Sequence, residues 1–206
     1  MRVNCPPKVR QLICCAFLMV WKGAACADSG VIESSYVSLA DDNCFQPSGD
    51  TLHRYANSGL GVVECRVKNR VIRLFVVSSE ERSWIDIAVG DTLWSTEDPI
   101  VYAPENRFGY FPNVGIAPVE LVVNKKQAPV GLIFRVTAQD PNQQEQGSAN
   151  IFRLFVFGFR KEGVCFLGLA DNNVAARSFL QADMICQQLL KSSRLIQNGF
   201  KSHKKQ

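Results

Sequence analysis

The chain has 206 residues, of which 47% are hydrophobic and 20% are charged. This composition is that of an ordinary globular protein and excludes an intrinsically disordered or a membrane-spanning chain. The length suits a single domain with its own core, together with a targeting segment.

Residues 1–27 have the pattern of a secretory signal peptide. Cations at positions 2, 8 and 10 precede a ten-residue apolar run at 12–21, and the small residues Ala25, Cys26 and Ala27 form a cleavage site before Asp28. The apolar run is shorter than the roughly 20 residues that cross a bilayer. Two alternatives are a buried N-terminal helix and a lipoprotein signal in which Cys26 carries the lipid. We therefore expect export to the periplasm or the medium, with no transmembrane span after cleavage.

Removal of this segment changes the charge of the chain. The whole chain has 23 Lys and Arg against 19 Asp and Glu, a net charge of +4, and residues 1–27 contain four of the cations and no acid. The mature chain is therefore neutral, and three of its lysines lie in the last six residues, KSHKKQ. Because a nucleic-acid-binding domain needs a basic face, we predict no nucleic-acid partner. We predict one globular domain over 28–200 and a disordered basic tail over 201–206.

Four cysteines remain after cleavage: Cys44, Cys65, Cys165 and Cys186. An even number suits an oxidising compartment, and four cysteines allow three pairings. We favour Cys44–Cys65 and Cys165–Cys186, because each bond joins neighbouring segments 21 positions apart. The competing zinc site would need close pairs such as C-x₂-C, and the sequence contains none. We predict two disulfides, with no metal and no cofactor.

Apolar runs rich in β-branched residues predict strands along most of the domain. The run at 151–159 has apolar residues on both of its faces, which is typical of a central strand covered on both sides. The segment 93–118 is less regular, with four prolines and five aromatic residues. The predicted strands are 62–67, 71–78, 83–89, 119–123, 130–138, 151–159 and 164–170.

A helix is predicted after the last strand. The side chains at 171–173, Asp-Asn-Asn, can cap a helix that begins near Val174, and Asn198-Gly199 would end it. Apolar residues at spacings of three and four would place one stripe against the sheet: Phe179, Ala182, Ile185 or Cys186, and Leu189. The bond from Cys165 to Cys186 would then tie the helix to the sheet. The predicted fold class is α+β, a mainly antiparallel β-sheet with a C-terminal α-helix packed on it and two disulfides.

Several stretches resemble a family of small exported bacterial proteins with paired cysteines, to which no function is assigned. They are Tyr36-x-x-Leu39 ahead of Cys44, VVSSEERSWIDIAVG at 76–90, FPNVGIAPVELVVNKKQAPVGLIFRV at 111–136 and CFLGLAD at 165–171. The resemblance covers about residues 36–190. It implies export and paired cysteines and supplies no active site.

The sequence contains no catalytic motif. His53 lies in a Gly/Ser-rich loop and His203 in the tail, so neither has a partner for a Ser-His-Asp arrangement. G-x-S-x-G, P-loop, H-E-x-x-H and dinucleotide-binding glycine patterns do not occur. Glu81 and Asp86 could serve an envelope hydrolase if they shared one cleft. We predict a non-enzymatic protein, with this hydrolase as the alternative.

The segment 105–115, ENRFGYFPNVG, is the candidate binding site. Arg107, Phe108, Tyr110 and Phe111 lie close together there, and arginine and aromatic side chains anchor protein–protein contacts. The alternative is that Phe108 and Phe111 fold back into the core. The predicted function is binding of an envelope or host macromolecule, as an inhibitor or an accessory factor. A structural envelope protein is a further alternative, and the oligomeric state is left open.

Overall fold

The computed structural model describes residues 32–48, 55, 58–69, 71–142, 150–181 and 185–194. The predicted signal peptide, the basic tail, both histidines and the predicted helix stop lie outside these ranges. The helix that follows the last long strand is α1 (Asn173–Gln181). The strands are β1 (Ile32–Val37), β2 (Cys44–Phe45), β3 (Gly61–Cys65), β4 (Ile72–Ser79), β5 (Arg82–Val89), β6 (Thr92–Ser95), β7 (Tyr110–Asn113), β8 (Val119–Asn124), β9 (Pro129–Gln139), β10 (Asn150–Arg160), β11 (Gly163–Ala170), β12 (Gln188–Leu189) and β13 (Ser192–Arg194).

The strands form two antiparallel sheets. The first sheet has the order β1-β8-β9-β10-β11-β12, and β7 pairs with β9. The second sheet has the order β13-β6-β5-β4-β3-β2. The predicted fold class is confirmed, since the strands are antiparallel and one helix follows them near the C-terminus. The division of the strands between two sheets is a finding of the structure.

One apolar core contains residues of both sheets, so the sheets pack face to face. It includes Phe75 and Trp84 of the second sheet with Phe134, Phe155 and Phe157 of the first. The rings of Phe134 and Phe157 stack with centroids 5.3 Å apart. Offset aromatic contacts of this kind add about 0.5–1.5 kcal/mol to the free energy gained by burial.

The prediction of a central strand covered on both sides is confirmed by β10. This strand pairs with β9 and β11. Its Phe155 and Phe157 belong to the core between the sheets, whereas Leu154 and Val156 belong to a second apolar cluster beneath α1. Because successive side chains point to opposite faces of the sheet, this strand contributes to two apolar layers.

Helix α1 covers the outer face of the first sheet through Ala176 and Leu180. Asn172 caps it as predicted, because its Oδ1 accepts a hydrogen bond from the amide of Ala175 at 3.0 Å. Gly131 of β9 permits the close approach, since a Cβ there would overlap Leu180 and the carbonyl oxygen of Phe157. The helix therefore lies directly on the backbone of the sheet.

The predicted length of the helix is wrong. Helix α1 ends at Gln181, and Cys186 lies in a non-helical segment that leads into β12. Ile185 and Leu189, which were expected on the buried stripe, are 86% and 51% exposed. The segment instead pairs with β11, through the amides of Gln187 and Leu190 that donate to the first sheet. Pairing with the sheet outweighs the weak intrinsic preference of this segment for a helix, although its apolar residues have helical spacing.

Both predicted disulfides are confirmed. Cys44 and Cys65 lie opposite each other on β2 and β3, with Cα atoms 4.0 Å apart. Cys165 of β11 is bonded to Cys186, with Cα atoms 5.7 Å apart. Each bond closes a loop of 21 residues, and such loops stabilise the fold by about 3 kcal/mol in the chain-entropy description. The second bond fixes the segment after the helix, rather than the helix itself, to the sheet.

A polar cluster joins the helix to β8 and to the edge strand β1. The buried carboxylate of Glu120 accepts hydrogen bonds from Ser34 Oγ and from Arg177 Nε, the latter at 2.7 Å. Arg177 also donates to Tyr36 Oη at 2.9 Å. A buried carboxylate needs such partners, because its desolvation otherwise costs several kcal/mol.

Candidate functional site

The candidate site is built on residues 98–113, which we call the aromatic loop. It contains a π-helical turn (Asp98–Tyr102), a 3₁₀ turn (Pro104–Asn106) and β7. A proline stands at the start of each turn, where the absent N–H has no helical partner to lose. The buried Asn106 donates from Nδ2 to the carbonyl oxygen of Pro99 at 3.0 Å. This bond joins the two turns.

A cavity of about 200 Å³ opens beside this loop. All four residues of the predicted binding site line it: Arg107, Phe108, Tyr110 and Phe111. The lining also includes Arg82, Ile100 and Asn106, which the sequence analysis did not single out. The structure therefore brings the four predicted residues together around one concave surface and adds a second arginine to them.

Phe108 holds the loop on the core. Its ring is half-buried and lies 6.3 Å from the ring of Phe155, and the guanidinium of Arg153 lies 5.9 Å from its centroid. Phe108 therefore folds back, as the alternative prediction stated, and its ring forms a wall of the cavity.

Phe111 does not fold back. It is 40% exposed and Tyr110 is 45% exposed, so both rings reach solvent at the mouth of the cavity. The guanidinium of Arg82 lies 5.9 Å from the Phe111 ring, within the range of a cation–π interaction. The backbone of Phe111 has φ = 51°, in the left-handed region that L-residues with bulky side chains rarely adopt. The structure thus holds this aromatic side chain outward at a cost in backbone strain.

Gly109 allows the loop to pass close to the backbone of β9. A Cβ at this position would lie 2.5 Å from the carbonyl oxygen of Gln139 and 2.8 Å from the Cβ of Ala138. Both contacts are too close for any other residue without a shift of the strand. Gly109 thus allows the chain to pass close to β9 between the half-buried Phe108 and the exposed Tyr110.

Two arginines give the cavity its charge. Arg82 follows the tight turn between β4 and β5, and Arg107 follows the 3₁₀ turn. Among the residues that the structure describes, neither side chain forms an ion pair. Arg82 was missed because an arginine at a hairpin turn has no sequence signature of binding. Its proximity to the loop depends on the packing of β5 near β7, where Ser83 Oγ accepts a hydrogen bond from the amide of Val114.

A carboxylate with a perturbed pKa lies next to the loop. Burial raises the pKa of Glu97, the hydrogen bond that Tyr102 Oη donates at 3.1 Å opposes this, and the carboxylates of Asp86 and Asp98 add to the rise. The Glu97 carboxylate in turn raises the pKa of Tyr102. Asp98 pairs with Lys191 Nζ at 2.7 Å. These acids are therefore already engaged with neighbouring side chains.

Glu81 and Asp86 do not form a common cleft. Glu81 is exposed in the turn between β4 and β5 and lines, with Phe111, a second depression of the surface. Asp86 is buried, and both of its carboxylate oxygens accept hydrogen bonds, from Tyr55 Oη at 2.6 Å and from Trp84 Nε1 at 3.1 Å. A glycosidase-like pair would face a substrate from both sides. The two acids are instead separated by burial and by their partners.

Neither a family model, nor a curated protein, nor a solved structure matches the chain. The resemblance to exported bacterial proteins therefore stays a prediction. In the described part of the chain, no helix has the length and apolar character needed to cross a membrane. Within the same ranges, no three His, Cys, Asp or Glu side chains are grouped as ligands for a metal ion.

Proposed function

We propose that the chain is an exported, non-enzymatic protein that binds an envelope or host macromolecule through the aromatic loop, as an inhibitor or accessory factor. The observation that carries this proposal is the surface around the 200 Å³ cavity. There, two exposed aromatic rings lie beside two arginines that form no ion pair among the described residues, on a scaffold with two disulfides. Aromatic and arginine side chains supply most of the free energy of binding in protein interfaces.

The scaffold supports a role outside the cytoplasm. One disulfide joins β2 to β3 in the second sheet, and the other joins β11 to the segment after the helix. Such bonds form and persist in oxidising compartments. The signal-peptide pattern at 1–27 provides a route to such a compartment. Amino-terminal sequencing of the exported protein should give Asp28 as its first residue. A mature protein that retains residues 1–27 would contradict cleavage.

The arrangement of the carboxylates favours binding over hydrolysis. A hydrolase would require Glu81 and Asp86 to approach one substrate, whereas Asp86 is 3% exposed and hydrogen-bonded at both oxygens. The aromatic loop places its exposed groups on one surface instead. The alternative role of a structural envelope protein predicts no partner that depends on this loop.

The test is a crosslinked affinity capture from living cells with the exported protein as bait. The variant Arg107→Ala, Tyr110→Ala, Phe111→Ala removes exposed side chains and leaves the half-buried Phe108 in place. We expect it to lose a stoichiometric partner that the unsubstituted protein retains. Circular dichroism and a thiol assay would establish that the variant is folded and oxidised.

A matched control exists on the other face of the first sheet. There the guanidinium of Arg135 lies 4.4 Å from the ring of Phe152, which is 41% exposed, and Val174 of α1 is 82% exposed. The variant Arg135→Ala, Phe152→Ala, Val174→Ala removes an equivalent arginine, an aromatic and one further exposed side chain. It should retain the partner. Retention of every partner by the folded loop variant would refute the proposed function.

A further inference from the structure

We infer that the group bound in the cavity is a carboxylate beside an apolar side chain, so that the partner is a protein with an exposed acidic segment. This inference rests on the proposed function, because it concerns the ligand of the same surface. It follows from the size of the cavity, the two arginines and the engagement of the neighbouring acids.

The size of the cavity indicates one inserted side chain. Its volume of about 200 Å³ is below the roughly 300–1,000 Å³ of sites for small molecules and cofactors. Ile100 and Phe108 contribute apolar surface to its walls. An anchor side chain from a macromolecule matches these dimensions, and the exposed rings of Tyr110 and Phe111 can contact the residues on either side of it.

The charge of the lining indicates an anionic group. Arg82 and Arg107 both line the cavity, and in the described ranges neither is neutralised by an ion pair. Arginine presents a planar fork of donors that matches a carboxylate. The Arg82 guanidinium lies 5.9 Å from the Phe111 ring, and a cation–π contact of this kind does not use its hydrogen-bond donors.

The neighbouring acids do not supply that carboxylate. Glu97 accepts a hydrogen bond from Tyr102, and Asp98 pairs with Lys191. Glu105 is exposed within the loop and forms no ion pair with either arginine. Among the residues that the structure describes, no acid pairs with these two arginines, and a carboxylate of the partner would complete the site.

The same acids favour an acidic protein segment over a polyanion. Nucleic acids and anionic polysaccharides carry closely spaced charges and bind to extended basic surfaces. Here two arginines line the cavity, and the exposed Glu81 and Glu105 stand next to Arg82 and two residues before Arg107 in the chain, respectively. This mixed local charge suits a single acidic side chain better than a long polyanion.

The test is a titration of the ¹⁵N-labelled exported protein with two peptides, followed by amide chemical shifts. The probes are the acidic peptide acetyl-Gly-Glu-Phe-Glu-Gly-amide and its neutral counterpart, with Gln in place of both Glu. We expect the acidic peptide to shift the amides of residues 107–111 with saturation below about 10 mM, and the neutral peptide to bind at least about fivefold more weakly. Arg82→Gln and Arg107→Gln should each weaken the acidic peptide about threefold or more, and added salt should weaken it further.

Lys125→Gln is the matched control, because it removes one positive charge from the exposed turn between β8 and β9. This turn is at the opposite end of β9 from β7, about 30 Å away at 3.3 Å per residue. It should leave the acidic peptide unaffected. An oligogalacturonate is titrated in parallel as a polyanionic probe. Equal shifts with both peptides, no saturation with the acidic peptide, or saturation with the oligogalacturonate alone would overturn the inference. In each of these cases, loss of the captured partner by the loop variant would still support the proposed function.

Discussion

Phe111 is the residue at which the candidate site carries backbone strain, and two pairs of substitutions measure that strain. A left-handed conformation costs a residue with a Cβ about 1–2 kcal/mol, and glycine escapes this cost. Glycine also loses about 0.5–1 kcal/mol through the greater freedom of its unfolded chain. With φ = 51° at Phe111, the difference leaves Phe111→Gly more stable than Phe111→Ala by about 0.5–1 kcal/mol.

Tyr110 is the matched control. It precedes Phe111 in β7, is exposed to a similar extent, and has no positive φ. Tyr110→Gly should therefore be less stable than Tyr110→Ala by about 0.5–1 kcal/mol, because only the entropy of the unfolded chain differs. The two neighbouring positions should thus give differences of opposite sign.

The assay is urea denaturation of the four variants with both disulfides intact, followed by tryptophan fluorescence. If the free energy of unfolding falls with urea concentration at the same slope in all four variants, their midpoints compare their stabilities directly. A Phe111→Gly variant no more stable than Phe111→Ala would refute the strain, and equal signs at both positions would assign the effect to the unfolded chain. Strain held at an exposed ring would indicate that its outward orientation is maintained for contact rather than for stability.

Two further predictions concern charged groups near the loop and the helix. The change Glu97→Gln should favour stability more at pH 7 than at pH 4, relative to the unsubstituted protein. The raised pKa of Glu97 stabilises the folded state at low pH, and this contribution is lost as the pH rises through that pKa. Urea midpoints of both proteins at the two pH values measure the difference. Arg177→Met should lower the free energy of unfolding by about 2–3 kcal/mol, because Glu120 is left buried while the arginine itself is partly exposed. Adding Glu120→Gln to this variant should raise the free energy of unfolding again by about 1 kcal/mol or more. Chemical denaturation of both single variants and the double variant measures this, and strictly additive losses would show that the two side chains are not coupled.

The parts of the fold that the sequence predicted are those set by local patterns. The alternation in β10, the cap at Asn172 and the two cysteine pairs each depend on residues close together in the chain. The partition into two sheets does not. Strand β1 pairs with β8 and β13 pairs with β6, across long stretches of sequence, and strand patterns do not encode which partner a strand selects.

The helix shows how a local pattern can mislead. Apolar residues continue at helical spacing past Gln181, but the chain there gains more by pairing with β11 and by bonding Cys186 to Cys165. Intrinsic helix preferences of less than 1 kcal/mol per residue yield readily to such contacts. The sequence placed the disulfide correctly and misassigned the structure around one of its cysteines.

The candidate site combines both situations. Its aromatic residues were recognisable because they are adjacent in sequence, while Arg82 enters from a hairpin turn more than 20 residues earlier. Without that arginine the loop would offer an aromatic surface with a single cation. With it, two guanidinium groups line the cavity, and that of Arg82 lies 5.9 Å from the ring of Phe111. The positive φ of Phe111 and the cation of Arg82 therefore meet at one ring, and the substitutions at position 111 measure what its outward orientation costs in stability.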